Sequence, residues 1–326
     1  MKNFFIIIFI IFLISINVWY FSKGKNDEMV WGVTFSAMHA RDLGLDVGVV
    51  FTTILDEWKF RHLRLIAQWD ELEKEKGKFD FSQMDYLMNE AAKRQAKVIL
   101  AIGQKTPRWP ECNIPDWSKE LSDADYDIAL QNYLKMVVSR YAHHSALEIW
   151  QVENEPFLGF GEKCRAMTTD KLQTEILLVK NLDNIHPILI TDSGELSTWR
   201  KTLKAGDLFG TTAYRVVWNK YFGYFKYDWL PAGYYTLRAN LFGKDLSQVQ
   251  IVELQAEPWV PDQRIAEDNI AEQFKSMDLD RLKSNIEFAR NTGFGRSYFW
   301  GAEWWYWLKI HNQNEISNFL KTLPID

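Results

Sequence analysis

Eight short apolar runs recur along the chain, separated by stretches whose apolar residues fall at helical spacing. The runs are VWGVTFS (30–36), FRHLRLIAQ (60–68), AKVILAIG (96–103), ALEIWQVE (146–153), PILITD (187–192), DLFGTTAY (207–214), VQIVELQ (249–255) and RSYFWGAE (296–303). Apolar runs of this length, bounded by turn and polar residues, read as buried strands. Helices are predicted between them over roughly 46–58, 82–94, 122–141, 168–184, 195–205, 265–290 and 313–323, with Ser82 and Ser122 in N-cap positions. The stretch 215–248 is long and aromatic and reads as an elaborated loop with a short helix near 231–242. Strands alternating with helices imply right-handed parallel βαβ units. Eight such repeats match an α/β (β/α)8 TIM barrel better than a doubly wound sheet, whose Gly-rich turn after an early strand is missing.

The N-terminus has a different pattern. A nearly continuous apolar run over residues 4–21 is close to the shortest length that spans a bilayer. Trp19 and Tyr20 sit where an interfacial aromatic belt would lie. No small-x-small cleavage site follows the run. Residues 1–28 therefore read as a hydrophobic signal-anchor helix and short juncture, and 29–326 as the barrel. This predicts membrane attachment through residues 4–21 and an extracytoplasmic barrel, with secretion after signal cleavage as the alternative.

Composition narrows the partners. The formal net charge of −5, with no Lys/Arg block, argues against nucleic acid. The chain carries 15 Trp, 13 Tyr and 21 Phe, enough for both a large aromatic core and a sugar-binding cleft. Trp109, Trp117, Trp218, Trp229 and Trp259 fall where loops are predicted, which favours the cleft for those five. The six histidines show no metal-binding spacing, and no cofactor motif is visible. His39, in the first βα loop, is a candidate sugar contact.

In a barrel, function sits where strands end and βα loops begin. The fourth run delivers Glu153, Asn154 and Glu155 to that face, and the seventh delivers Glu253, with Glu257 four residues on. Two carboxyl groups flanking an anomeric carbon are what glycoside hydrolysis needs: one protonates the departing oxygen, the other attacks or activates water. Glu253 directly follows the apolar run and is preferred to Glu257, which precedes a proline. Glu153, inside the strand run, reads as a buried structural acid, and Glu148, at the strand's entry, as an edge ion pair.

At these residues the chain resembles clan A of the glycoside hydrolases, retaining (β/α)8 enzymes, over about residues 31–310. Asn154-Glu155 before Pro156, with Glu253 about a hundred residues later, is the most specific part of that likeness. The resemblance implies Glu155 as acid/base, Glu253 as nucleophile and Asn154 as the partner of a sugar 2-hydroxyl. It further implies Arg64 as the support of the nucleophile, Tyr214 as the residue that orients it and Trp300 as the platform beneath the sugar. The opening GVTFS and closing YFWGAEWW also resemble families five and forty-two of the clan. The likeness stops at the clan, so no sugar follows from it. Glu303, just after Trp300, is a candidate for a sugar hydroxyl or a structural bond, and Trp109 for a sugar platform or for packing beneath one.

The expected activity is retaining hydrolysis of β-linked glycosides or polysaccharides through a covalent glycosyl-enzyme. A catalytically silent carbohydrate-binding barrel and a transglycosylase using the same two glutamates are the alternatives. Cys112 follows the third strand and Cys164 the fourth, in loops that a barrel makes neighbours. In an exported chain this predicts a disulfide across the cleft wall.

Overall fold

A computed structural model of the chain describes residues 5–9, 11–12, 24–162, 164–261, 265–266 and 269–324. Eight strands close into one barrel: β1 (Val30–Thr34), β2 (His62–Ile66), β3 (Lys97–Ile102), β4 (Leu147–Val152), β5 (Ile188–Asp192), β6 (Leu208–Ala213), β7 (Val249–Gln255) and β8 (Arg296–Trp300). Each pairs in parallel with its sequence neighbours, and β8 closes on β1. All eight predicted strands are present. Their bodies are near-continuous apolar sequence because both faces are covered, by helices outside and side chains within. The interior is filled by Ile99, Ile149, Leu189, Val252 and Tyr298. The barrel is therefore plugged below its mouth, and only the strand ends above that plug can meet a ligand.

Helices start where short polar side chains accept a first-turn N–H. Asp46 caps Val47–Asp56 through Val49 N, Ser122 caps Asp123–Tyr141 through Asp125 N, and Thr168 caps Thr169–Leu182 through Lys171 N. At Ser82–Lys93 the predicted cap shifts: Ser82 is the first helical residue, and its N–H donates to the Asp80 carboxylate at 2.9 Å. Most tryptophans belong to the core. Trp58, Trp150, Trp199, Trp304 and Trp305 are buried, and each indole N–H finds a partner within 3.0 Å.

Four expectations need correction. No helix forms over 195–205, where turns carry the chain instead. The predicted helix 265–290 is two helices, Ile270–Gln273 and Leu279–Arg290, the second opened by Asp278 accepting from Arg281 N. The last run stops at Trp300, and Glu303 lies in a helix, Ala302–Ile310. The aromatic stretch after β6 holds a hairpin, Val216–Asn219 paired antiparallel with Gly223–Lys226, before the expected helix at Ala232–Leu241. The predicted N-terminal anchor lies mostly outside the described residues. Residues 5–9 and 11–12 are helical, and among the described residues no helix is long and apolar enough to cross a membrane.

Candidate active site

Arg64, on β2, organises the mouth of the barrel. It is fully buried, and its fork spreads over three elements. Nη1 donates to Glu253 Oε1 at 2.8 Å, Nη2 to Asn154 Oδ1 at 2.9 Å, and Nε to Gln151 Oε1 at 2.7 Å. The other oxygen of Glu253 accepts from the Tyr214 hydroxyl at 2.9 Å. Glu253 is thus held as a carboxylate acceptor by one cation and one phenol. Asn154 Oδ1 also accepts from Gln151 Nε2 and the Thr191 hydroxyl, both at 3.2 Å. Three donors on one oxygen settle the amide's orientation and leave its NH2 as the end that can donate to a ligand.

Glu155 sits in the opposite setting. Its backbone N–H is anchored to Thr191 Oγ1 at 2.9 Å, but its Oε1 is buried with no hydrogen-bond partner. Burial, then the negative charges of Glu253 and Glu111, push its carboxyl well above the usual carboxylate range. Glu153 and Glu155 both adopt left-handed backbone, with φ of 60° and 45°. Non-glycine residues rarely adopt this conformation, and it is typical of strained turns at functional sites.

Glu153 holds that turn rather than facing a ligand. Its two oxygens accept from Gln104 N at 2.8 Å and Lys105 N at 2.9 Å. Gly103, with φ of 131°, makes room for it: a Cβ there would come within 2.4 Å of Glu153 Oε1. Burial raises Glu153 to about 7 despite those two N–H donors, and Glu175 on the helix behind it is also raised by burial and by Glu153. Lys105 Nζ binds the carbonyls of Glu155 at 3.2 Å and Leu158 at 3.0 Å and pairs with Glu111 at 3.0 Å. Cys112 and Cys164 are joined in a disulfide, Cα–Cα 5.2 Å, as expected from their loops. The loops after β3 and β4 are therefore tied together at several points directly beside Glu155.

A second charged cluster backs the opposite wall. Buried Arg108 forks onto both oxygens of Glu257 and donates to Glu303 Oε2 at 3.1 Å. Its guanidinium lies over the Trp300 ring, 4.0 Å from the centroid. Burial acts to raise Glu257, but Arg108 and His39 outweigh it and hold it at about 2. Glu303 is fully buried; its oxygens take Arg108 and the Ser36 N–H, so it supports the wall and does not line the cavity. Trp300 does line it, together with His39, half-exposed Trp109, Trp259 and Glu253, around a cavity of about 740 Å³. Trp117 instead packs edge-on against Trp69 and donates to the Glu73 carbonyl at 2.8 Å.

The sequence reading placed Arg64, Asn154, Glu155, Tyr214 and Glu253 at one mouth; hydrogen bonds join all but Glu155, which shares a cavity lining with Tyr214 and Glu253. It overlooked Arg108, Glu111 and Glu195. Glu195 accepts from Tyr214 N at 2.9 Å and from the Tyr235 hydroxyl, and so fixes the tyrosine that meets Glu253. Arg108 and Glu111 could have been found, since both sit in the loop that leaves β3 at the functional face.

Comparison with known proteins gives likenesses in sequence and in fold. The family model described as Glycosyl hydrolase family 10 matches residues 65–176, a stretch that includes Glu155 and stops short of Glu253. A protein of Aspergillus clavatus described as "Probable mannan endo-1,4-beta-mannosidase A" is 28% identical over 123 residues, 34% of this chain and 32% of that protein. The chain thus spans about a third of the curated relative it matches. A GH5_18 structure from Bifidobacterium longum covers 84% of this chain and 69% of its own, with TM-score 0.59 at 14% identity. An endo-β-1,4-xylanase of family 10 from Gloeophyllum trabeum covers 84% of each chain, with TM-score 0.56 at 15% identity. At such identities the likeness is one of fold, a (β/α)8 barrel.

Proposed function

We propose that the protein is a retaining β-glycoside hydrolase in which Glu253 is the nucleophile and Glu155 the acid/base. One observation carries this reading. Two carboxyl groups at the ends of β4 and β7 sit in opposite settings: Glu253 is clamped by Arg64 and Tyr214, while Glu155 Oε1 is buried without a donor. A clamped carboxylate can attack the anomeric carbon. A desolvated carboxyl beside negative charge keeps its proton for the leaving oxygen. Once the glycosyl-enzyme forms, the charge on Glu253 is consumed, the repulsion on Glu155 falls, and Glu155 can ionise and take a proton from water. The free NH2 of Asn154 is positioned to bind the sugar's 2-hydroxyl. The fungal mannosidase name favours β-1,4-linked hexose polymers as the first substrates to try.

Anchoring through residues 4–21 with the barrel outside the cytoplasm belongs to the same proposal. It is supported by the apolar run at the N-terminus and by the Cys112–Cys164 bridge, since disulfides persist in oxidising compartments.

The test is a panel of aryl β-glycosides with the parent, Glu155→Ala and Glu253→Ala proteins, followed by proton NMR of the first-formed sugar. Retention of the β-anomer is expected, as is loss of turnover in Glu253→Ala and its partial rescue by azide. An inverted product, or turnover that survives Glu253→Ala, would rule the mechanism out.

A further inference from the structure

Two cavities meet at the carboxyl pair. Glu111, Phe160, Tyr214, Glu253 and Trp259 line both. The larger one extends toward β1 and β8, where Met38, His39 and Trp300 form its wall. The smaller one, about 70 Å³, contains Glu155 and extends toward β5, β6 and the hairpin, past Ser193, Val217 and Tyr227. An acid that protonates a departing oxygen must lie on the leaving group's side of the scissile bond. Glu155 lines the smaller cavity and not the larger. The sugar that becomes covalently bound thus belongs to the larger cavity, and the leaving group exits through the smaller one.

The wall of that exit continues as aromatic surface. Val217 pairs with Phe225 across the hairpin, so the two share a face. The Phe225 ring lies 5.0 Å from Tyr227, and Tyr227 lies 6.4 Å from Trp229. Phe225 is 39% and Trp229 65% exposed, although large aromatic surface in water is unfavourable unless something covers it. We propose that Tyr227, Phe225 and Trp229 form a distal subsite that stacks the sugar residues on the reducing-end side of the cleaved bond. This rests on the hydrolase reading above. The substrate class it selects is an extended β-linked oligosaccharide or polysaccharide cut within the chain, rather than a glycoside with a small leaving group. The covering partner is a sugar chain because the rings run on from the catalytic cavity. Of these rings Tyr227 lines the cavity itself, and Phe225 and Trp229 extend from it; the hairpin's exposed tip, Tyr221 and Phe222, lies outside that run and is not part of the subsite.

The experiment compares the parent with a Phe225→Ala/Trp229→Ala variant, both as the full chain. The substrates are β-1,4-linked manno-, xylo- and gluco-hexaose and the matching 4-nitrophenyl β-glycosides. The parent should favour a hexasaccharide over the aryl glycoside of the same sugar, and the variant should lower that kcat/KM ratio about tenfold, the loss expected for two stacked rings. Calorimetric binding of the same hexasaccharides to Glu253→Ala, with and without the hairpin substitutions, gives the contrast without turnover. An unchanged ratio with unchanged binding overturns the subsite while leaving the hydrolase reading intact. So does a loss confined to binding of phosphatidylcholine/phosphatidylglycerol vesicles. A parent that neither cleaves nor binds any probe overturns both readings.

Discussion

Removing Arg64 tests the electrostatic logic of the site most directly. Its guanidinium and Glu253 are 2.8 Å apart, and their side chains are 0% and 7% exposed. Two unit charges at that distance attract by about 6 kcal/mol at an effective dielectric of about 20. Desolvation of both groups offsets much of this, but stripping one partner from a buried pair still costs about 3–5 kcal/mol. Arg64→Met would also orphan Gln151 Oε1, which takes its hydrogen bond from Arg64 Nε, adding about 1 kcal/mol. The expected loss is therefore about 5 kcal/mol, a large share of the roughly 5–15 kcal/mol that holds a domain folded. In a Glu253→Gln background no carboxylate is stranded, and the same substitution should cost only about 2 kcal/mol. Urea unfolding of all four proteins at neutral pH closes the cycle, with an expected coupling of about 3 kcal/mol. The coupling should survive 1 M salt, because a buried pair is poorly screened. Additivity within about 0.5 kcal/mol would refute the claim that Arg64 acts through the charge of Glu253.

Two other perturbations follow from the same geometry. Burial and the charge of Glu253 raise Glu155, so the folded state holds that proton to higher pH than the unfolded chain, which releases it near pH 4.3. The stability of the neutral form is full below that value and is lost as pH rises through the elevated folded value. Glu155→Gln should accordingly gain stability over the parent between pH 4 and pH 9, read as a widening difference in urea midpoints; a constant difference would count against a protonated Glu155. Opening the Cys112–Cys164 bridge, whose cysteines are 52 residues apart, should cost up to about 4 kcal/mol by loop-closure entropy. Cys112→Ser is expected to melt several degrees lower than the parent, and an unchanged melting temperature would show that the lysine and glutamate ties alone hold the two loops.

What was legible in the sequence depended on how local its cause was. All eight strands could be read because burial on both faces makes each one a short apolar run, as in Ile188–Asp192. Once their order gave a barrel, the strand-end rule reached Asn154, Glu155 and Glu253, while Arg64 and Tyr214 came only from the resemblance to the clan. The segment 195–205 has helical spacing but no helix: Trp199 sits in left-handed backbone, with φ of 64°, which a right-handed helix cannot continue through. Trp199 Nε1 donates to the Ser193 carbonyl at 2.8 Å, Thr202 Oγ1 to Asp192 at 2.6 Å, and Arg238 stacks on the Trp199 ring. The break within 265–290 was written in Asp278, a cap residue in mid-run. Glu175 was beyond reach, since only the packing of an outer helix against β4 turns a surface-like Glu toward Glu153. Glu303 was misplaced for a related reason: its helix begins two residues after β8 and turns it inward, beneath Arg108.

The buried acids of the mouth show why composition alone could not pick the proton donor. Glu257 has a guanidinium across both oxygens and is held at about 2, so it stays ionised and cannot donate. Glu153 is raised to about 7, yet both its oxygens are occupied by backbone N–H groups that fix the turn. Glu195 is likewise raised to about 7 by burial, but its Oε1 is committed to Tyr214 N and the Tyr235 hydroxyl, and its Oε2 accepts from the Thr212 hydroxyl at 3.5 Å. Glu111 is raised to about 7 by burial against the opposing ammonium of Lys105. Glu155 combines a raised carboxyl with an unpartnered oxygen, a backbone pinned by Thr191 and a place on the cavity it shares with Glu253. A general acid needs a proton at working pH, a free oxygen to deliver it and a fixed reach to the bond being broken. Glu153 and Glu195 lack the free oxygen, Glu257 is held ionised with both oxygens taken, and Glu111 is paired with the Lys105 ammonium. The same residue type takes four roles at one barrel mouth, and its neighbours within a hydrogen bond's length decide which.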